Sequence, residues 1–519
     1  RPANLLVVLL DSLNRHHLGC YGSTEFDTPN LDRFAARATT TRFTNHVTGS
    51  LPCMPARHDI LVGALDFLWR CWGSIELWES SIVADIDAAG IPTALVTDHP
   101  HLFETGGENY HTDFLAWEYL RGHEGDPWRT RPDPSWVGAP ALPGGWFWER
   151  RFGTEPFRRH YDDSRTWFRD EADYPGPATM TATAEWLDRS APAHDRWFCF
   201  VDEFDPHEPF DTPEPWLSRY QEEVPDDLLI WPPYVVGGVS RGHLTEAEAR
   251  HLRANYGAKV SMIDHWFGRI LDTLDRRDLW SSTAVVVCTD HGHYLGERRG
   301  GHDIWGKPAV PQFEPIGHTP LLVHWPGATG GTTCDALTTN VDLHATIADV
   351  FGVTPAHRTH GRSLVPLLTD RADTVRDWAI GGVFGNWVQV TDGHRKYARA
   401  PAADGFPLSM WSNRWSTMPL PVRGLAGMPD PDGRAWLDTM PGSDIPVIRQ
   451  PFESGDTLPY WVGGPRIAGN HHCYDLTVDP DEQENRADEP VAEELAELLR
   501  EALRAVEAPD EQLVRLGLA

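Results

Sequence analysis

The chain opens on an uninterrupted apolar run, Leu5-Leu6-Val7-Val8-Leu9-Leu10, which breaks at Asp11. A strand packed on one face alternates apolar and polar positions, whereas a run with no polar position is buried on both faces, as in a parallel sheet. Leu31, Phe34, Ala35 and Ala38 then recur at helical spacing, Ser81 to Ala89 form a helical stretch closed by Gly90, and Thr93 to Val96 form the next strand. The alternation predicts an α/β fold.

The rhythm resumes with a short strand at Trp197 to Val201. A long helix follows that opens on Thr245 and Glu248 in a capping-box pattern and carries Leu252, Tyr256, Ile263, Phe267, Ile270 and Leu274 on one face. Strands at Ala284 to Cys288 and Leu321 to Val323, and a helix around Leu343, Ile347 and Val350, complete this part. Past a polar stretch near Arg371 the pattern changes to short strand-like pieces, Trp387 to Val390 and Trp461-Val462, around a Pro- and Gly-rich span, and a last helix carries Leu495, Leu498, Leu499, Ala502 and Val506. The expected organisation is a large α/β domain over 1–371 and a smaller C-terminal α+β domain over 372–519.

Composition narrows the functional classes. A formal charge of −31 argues against nucleic acid as a partner, because phosphate backbones are held by clustered Lys and Arg. No apolar run approaches the ~20 residues of a membrane span. Lysine occurs only at Lys259, Lys307 and Lys396. The seven cysteines lack the dense spacing of a disulfide scaffold and read as buried thiols. Arg1 stands directly before the first strand with no charged and apolar leader, so no signal peptide is expected in this chain and a cytoplasmic location is favoured over a secreted one.

Acidic positions follow two of the buried strands: Asp11 after Leu10, and Asp290 with His291 after Cys288-Thr289. The carboxyl ends of parallel strands share one edge of a sheet, where ligands bind, so residues distant in sequence can meet there. Asp and His are ordinary ligands of divalent metals, although each alone could be a turn or cap residue.

Ser50-Leu51-Pro52-Cys53-Met54-Pro55-Ala56-Arg57 contains C-x-P-x-R, which resembles the signature by which sulfatases are recognised for oxidation of the cysteine to formylglycine. Thr28-Pro29-Asn30-Leu31-Asp32-Arg33-Phe34, Thr289-Asp290-His291-Gly292, Gly306-Lys307, Leu321 to Gly327 ending in Trp-Pro-Gly, and Tyr474-Asp475-Leu476 with Asp479-Pro480, Glu484 and Asn485 are similar to further elements of that family, in the family's order. The resemblance implies an alkaline-phosphatase-like, mostly parallel central sheet flanked by helices. It implies a sulfuric ester hydrolase acting on a carbohydrate or aryl sulfate, matured by a formylglycine-generating enzyme. Asp11, Asp290, His291 and the modified Cys53 would hold one divalent metal, calcium by default, with manganese or zinc as alternatives because His291 replaces an Asn and Ser12 replaces a second acid. Arg57 would orient the nucleophile, Lys307 would hold a sulfate oxygen, and His207 in Pro206-His207-Glu208-Pro209-Phe210 would protonate the leaving alcohol. Where many members carry K-x-H, this chain reads Thr97-Asp98-His99-Pro100-His101, so His99 or His101 would contact the substrate, with His302 a further candidate. The same departures suggest a phosphonate monoester or phosphodiester hydrolase as an alternative, and a non-catalytic binding protein on this fold is a third reading. Tryptophans clustered in the first third of the chain have faces suited to stacking on sugars or aryl groups, with core packing and lids as the reading for most of them, and the Pro-, Trp- and Gly-rich segment Gly122 to Arg151 reads as a lid over the pocket.

Overall fold

A computed structural model describes residues 1–133, 145–146, 156–222, 228–328, 332–402, 405–414, 433–454, 456 and 469–519. Most of the Gly122 to Arg151 segment, and Trp461-Val462, therefore lie outside the described residues.

The first apolar run is strand β1 (Asn4–Leu10), buried throughout, at the heart of an eight-stranded sheet. Its companions are β2 (Thr40–Phe43), β4 (Thr93–Thr97), β5 (Ala116–Tyr119), β6 (Phe198–Glu203), β7 (Thr283–Cys288), β10 (Leu321–His324) and β11 (Thr332–Cys334), in the order β11-β2-β10-β7-β1-β6-β4-β5. Strands β7, β1, β6, β4 and β5 run parallel, while β10 lies antiparallel to β7 and to β2. The sheet is thus mostly parallel.

Burial on both faces has a direct consequence for packing. Leu5, Val7 and Leu9 enter one core with helices α2 (Cys53–Leu61), α3 (Ile82–Ala88) and α6 (Asn340–Phe351). Leu6, Val8 and Leu10 enter the other with α1 (Pro29–Ala35), α4 (Pro175–Arg189) and α5 (Glu246–Arg276). Helix α5 begins at the Thr245–Glu248 capping box, where each side chain satisfies the other's backbone N–H. The Thr28-Pro29-Asn30-Leu31 segment docks on the same helix, because Asp264 accepts from the N–H groups of Asn30 (3.0 Å) and Leu31 (2.7 Å). That motif supports the scaffold.

A second, five-stranded sheet has the order β15-β14-β13-β12-β3, made of β3 (Ser50–Leu51), β12 (Ala379–Val383), β13 (Val388–Thr391), β14 (Arg395–Arg399) and β15 (His472–Asp475). Helix α7 (Pro490–Ala505) covers it with Leu495, Leu499 and Ala502. Strand β3 immediately precedes Pro52 and the Cys53 helix, so the C-terminal sheet is bonded to the segment that presents Cys53: Gly382 pairs with Ser50 and Val383 with Leu51. All seven cysteines are free thiols. No helix among the described residues is long and apolar enough to cross a membrane.

Candidate active site

Parallel strands place their carboxyl ends together, and here Asp11 follows β1, Asp202 is the last residue but one of β6, His99 follows β4, and Asp290 and His291 follow β7. Cys53 is the first residue of α2, and Arg57 lies one turn further along. Ligand atoms of Asp11, Cys53, Asp290 and His291 lie within 4.8 Å of one another, and all four residues are buried. The Sγ of Cys53 is 3.4 Å from His291 Nε2.

The ring of His291 is oriented by its other nitrogen. Nδ1 donates to the carbonyl of Gly292 (2.8 Å), so Nε2 turns its lone pair toward Cys53 and Asp290. Gly292 permits that turn by lacking a side chain, since a Cβ would meet the Pro315 carbonyl oxygen at 1.9 Å. The backbone carbonyl of Asp290 is fixed by Thr48 Oγ1 (2.8 Å) and Asn340 Nδ2 (3.2 Å).

Arg57 is fully buried among carboxylates. Its Nε and Nη2 reach the two oxygens of Asp202 at 2.8 and 2.6 Å, Nη1 reaches Asp290 at 2.8 Å, and Nη1 also reaches the Cys53 carbonyl at 3.2 Å. Nη2 stands 2.9 Å from Asp11 Oδ2 without hydrogen-bond alignment, leaving that buried oxygen available to another partner. Burial and the adjacent Asp290 push the Asp11 carboxyl well above the usual range, whereas burial of Asp290 is outweighed by His291 and Arg57, which hold it low. Two carboxylates crowded in a dry site call for a cation between them. The donor set, two carboxylates, an imidazole Nε2 and the side chain of residue 53, suits one divalent metal. Burial, then Asp11 and Asp290, also hold the Cys53 thiol well above its normal range, so unmodified it is a neutral thiol and a weak nucleophile.

Ser12 occupies the place of the missing second acid. It adopts a left-handed backbone (φ 61°), which turns its N–H toward Asp290 Oδ1 (3.1 Å) and its hydroxyl onto Asp11 Oδ1 (2.7 Å). The same hydroxyl receives Lys307 Nζ (3.2 Å), whose other acceptor is Glu208 Oε2 (3.1 Å). Lys307 follows β9 (His302–Gly306), and its ammonium stays charged because the cost of burial is outweighed by Glu208 together with the other negative groups around it, Asp11 and Asp290 among them. His207 donates from Nδ1 to the Glu208 carbonyl (2.8 Å), and burial with Lys307 holds it well below its usual value.

The alternatives at the end of β4 are separated by their partners. His99 uses Nδ1 on Asp202 (3.3 Å) and keeps a buried, unpaired Nε2. His101 is committed at both nitrogens, to Glu104 (2.7 Å) and Glu124 (3.1 Å), which against burial raise it to about 10. The ring of His101 is thus a buried ion-pair partner, and of the two imidazoles His99 is the one with a nitrogen left over. His302 is not brought together with these residues. It sits at the turn end of the hairpin formed by β9 and β8 (Tyr294–Arg299), beside Ser240 at 3.0 Å, and roughly 15 Å of extended strand separates it from Lys307. Asp202 and Glu208 were not singled out in the sequence, yet both organise the cations of the site. Asp202 has the signal that marked Asp11, an acid closing a buried strand, and pairs in register with Leu9.

His58, Asp66 and Glu79 form a second group with metal-ligating side chains. Arg70 fills it, bound to Asp66, Glu76 (2.8 Å) and the Ser74 carbonyl (2.7 Å), so it is a closed ion-pair network. Trp69 and Trp72 are core residues, and Trp69 packs edge-on against Trp411 at 5.0 Å.

The model of the Sulfatase family matches residues 3–353. The chain belongs to the sulfatase family. This sulfatase is 27% identical over 419 residues to the choline-sulfatase of Rhizobium meliloti, covering 76% of this chain and 77% of that protein. It is 24% identical to a multifunctional alkaline phosphatase superfamily protein of Trinickia caryophylli, over 72% of this chain and 78% of that one. The crystal structure of the phosphonate monoester hydrolase of Agrobacterium radiobacter superimposes with a TM-score of 0.63 at 17% identity, covering 98% of this chain and 96% of that one, which shows the shared fold. The protein is a sulfatase-type hydrolase with an alkaline-phosphatase-like fold, and its nucleophile derives from Cys53 beside a metal-chelating cluster.

Proposed function

We propose that the enzyme hydrolyses organic sulfate esters, carbohydrate or aryl sulfates foremost, through a formylglycine made from Cys53 by a formylglycine-generating enzyme. The observation that carries this is the meeting of residue 53 with Asp11, Asp290 and His291, with Lys307 and His99 nearby. Asp11, Asp290, His291 and an oxygen of residue 53 would hold one divalent metal, calcium first and manganese or zinc as alternatives. When bound, the metal supplies acidity to the hydrated aldehyde and charge to balance the sulfate.

Arg57 holds Asp11, Asp202 and Asp290 in place and fixes the first turn of the nucleophile's helix through the Cys53 carbonyl. The hydrated aldehyde would supply two hydroxyls on one carbon, one to attack sulfur as the alcohol leaves and the other to give up its proton so that the aldehyde reforms and sulfate is released. Lys307 and His99 Nε2 hold sulfate oxygens. His207 gives a proton to the departing alcohol, and the anionic ester beside it favours the protonated ring.

Replacement of a carboxylate by Ser12 and the imidazole in the metal set favour a second reading, a phosphonate monoester or phosphodiester hydrolase with the same nucleophile. The deciding experiment compares turnover of an aryl sulfate and an aryl phosphonate by protein co-produced with the maturation enzyme. Preference for the sulfate supports our reading, and preference for the phosphonate replaces it. Unoxidised Cys53 in protein from the native host, with no metal bound, would instead indicate a binding protein.

A further inference from the structure

We propose that Phe204 is a positioning residue for the reaction: its ring, held between His99 and His207, sets the planes of the two imidazoles that act on the ester. The inference rests on the roles given above to those histidines and assigns the element that aims them.

Phe204 is fully buried and directly follows β6. His99 stacks on it with centroids 4.4 Å apart and planes 19° apart, and His207 stacks at 4.2 Å and 16°. Two rings stacked that closely on one benzene ring would overlap if they shared a face, so they occupy opposite faces. Both imidazoles thus lie near one common orientation, separated by the thickness of the phenyl ring. His123, at 4.8 Å and 78°, and His101, at 5.8 Å and 85°, approach it edge-on.

Hydrogen bonds alone do not fix the two stacked rings. His99 has one polar anchor, the long Nδ1 contact to Asp202 (3.3 Å), and His207 is tethered only through Nδ1, to the carbonyl (2.8 Å) and carboxylate (3.2 Å) of the adjacent Glu208. An imidazole held at one nitrogen can swing its other nitrogen through an arc. The phenyl ring removes that freedom, and Phe204 is itself clamped, its N–H donating to Asp98 Oδ1 (2.7 Å) and its carbonyl accepting from His207 N (2.9 Å). A proton donor displaced by about 1 Å can lose about 10²-fold in rate, so the orientation has kinetic weight.

The test uses the mature, metal-loaded enzyme and two esters, 4-nitrophenyl sulfate, whose leaving group needs no proton, and a simple alkyl sulfate, whose leaving group does. Phe204→Leu should lower kcat/KM for the alkyl ester about 10²-fold more than for the aryl ester, the scale of lost general acid catalysis, and should weaken inhibition by inorganic sulfate through His99. Phe204→Tyr, which keeps the ring, should restore the parent ratio of the two esters. Phe204→Met provides a second ringless variant should the leucine not fold, with thermal melting and aldehyde content at residue 53 as controls. Equal losses on both esters, or none, would overturn the proposal and leave Phe204 as packing. His207→Ala is the reference: if it shows no leaving-group dependence, the acid role fails. If it shows that dependence and the ringless variants do not, only the role of Phe204 fails.

Discussion

Arg57 and Asp202 face each other as a fork and its match, with Nε to Oδ2 at 2.8 Å and Nη2 to Oδ1 at 2.6 Å, both fully buried. A guanidinium makes this bidentate contact while its remaining N–H groups reach Asp290 and the Cys53 carbonyl, and an ammonium cannot do so. Arg57→Ala should lower unfolding free energy by about 3–5 kcal/mol, because it strands buried carboxylates, and Arg57→Lys should recover only part of that. Urea denaturation checks this. A lysine variant as stable as the parent would mean that the fork is dispensable.

The contrast between His99 and His101 gives a paired prediction. His99→Ala should weaken inhibition by inorganic sulfate and raise KM, since it removes the unpaired Nε2. His101→Ala should act mainly on stability by leaving Glu104 and Glu124 without their shared cation. Sulfate inhibition constants and melting curves for the two variants decide it, and the reverse pattern would show that the wrong imidazole was assigned.

His58, on the nucleophile helix, makes stability depend on pH. Burial opposes its charge, but Asp66 and Glu79 outweigh that and raise it from 6.5 to about 9. Since the folded value lies above the unfolded one, the stabilisation is present in full below about pH 6.5 and is lost as pH rises through about 9. The melting temperature should fall across that window. His58→Gln should start lower and fall less steeply, and an unchanged slope would exclude this histidine as the source.

The parts of the fold that were legible in the sequence are those whose burial is written in consecutive residues. Strand β1, the capped helix α5 and strand β7 carry their own signals, and they deliver Asp11, Asp290 and His291 to one edge. The apolar run that marks strand β6 stops at Val201, so nothing in the sequence extends the strand to Asp202; in the structure it continues to Glu203, and Asp202 faces Arg57. Ser12 read as a missing charge, because its left-handed backbone and its bond to Lys307 depend on contacts across the molecule. The pairing of Ser50-Leu51 with Gly382-Val383 is too short to leave a pattern. His302 looked close to Lys307 because sequence distance is small, and the extended strand between them makes it far in space.

Lys307 is placed to meet charge that develops on the sulfate. Lys307→Met should reduce kcat about 10²–10³-fold, as loss of one preorganised donor does, while the fold remains intact. Steady-state kinetics with circular dichroism as control tests it, and near-parent turnover would remove Lys307 from the mechanism.

The chemical state of residue 53 decides whether the site can turn over an ester as proposed, and peptide mass spectrometry across Leu51 to Arg57, on enzyme co-produced with the maturation enzyme, tests it most directly. The predicted result is an aldehyde at position 53, with all turnover lost in Cys53→Ala. An intact thiol in fully active protein would contradict it.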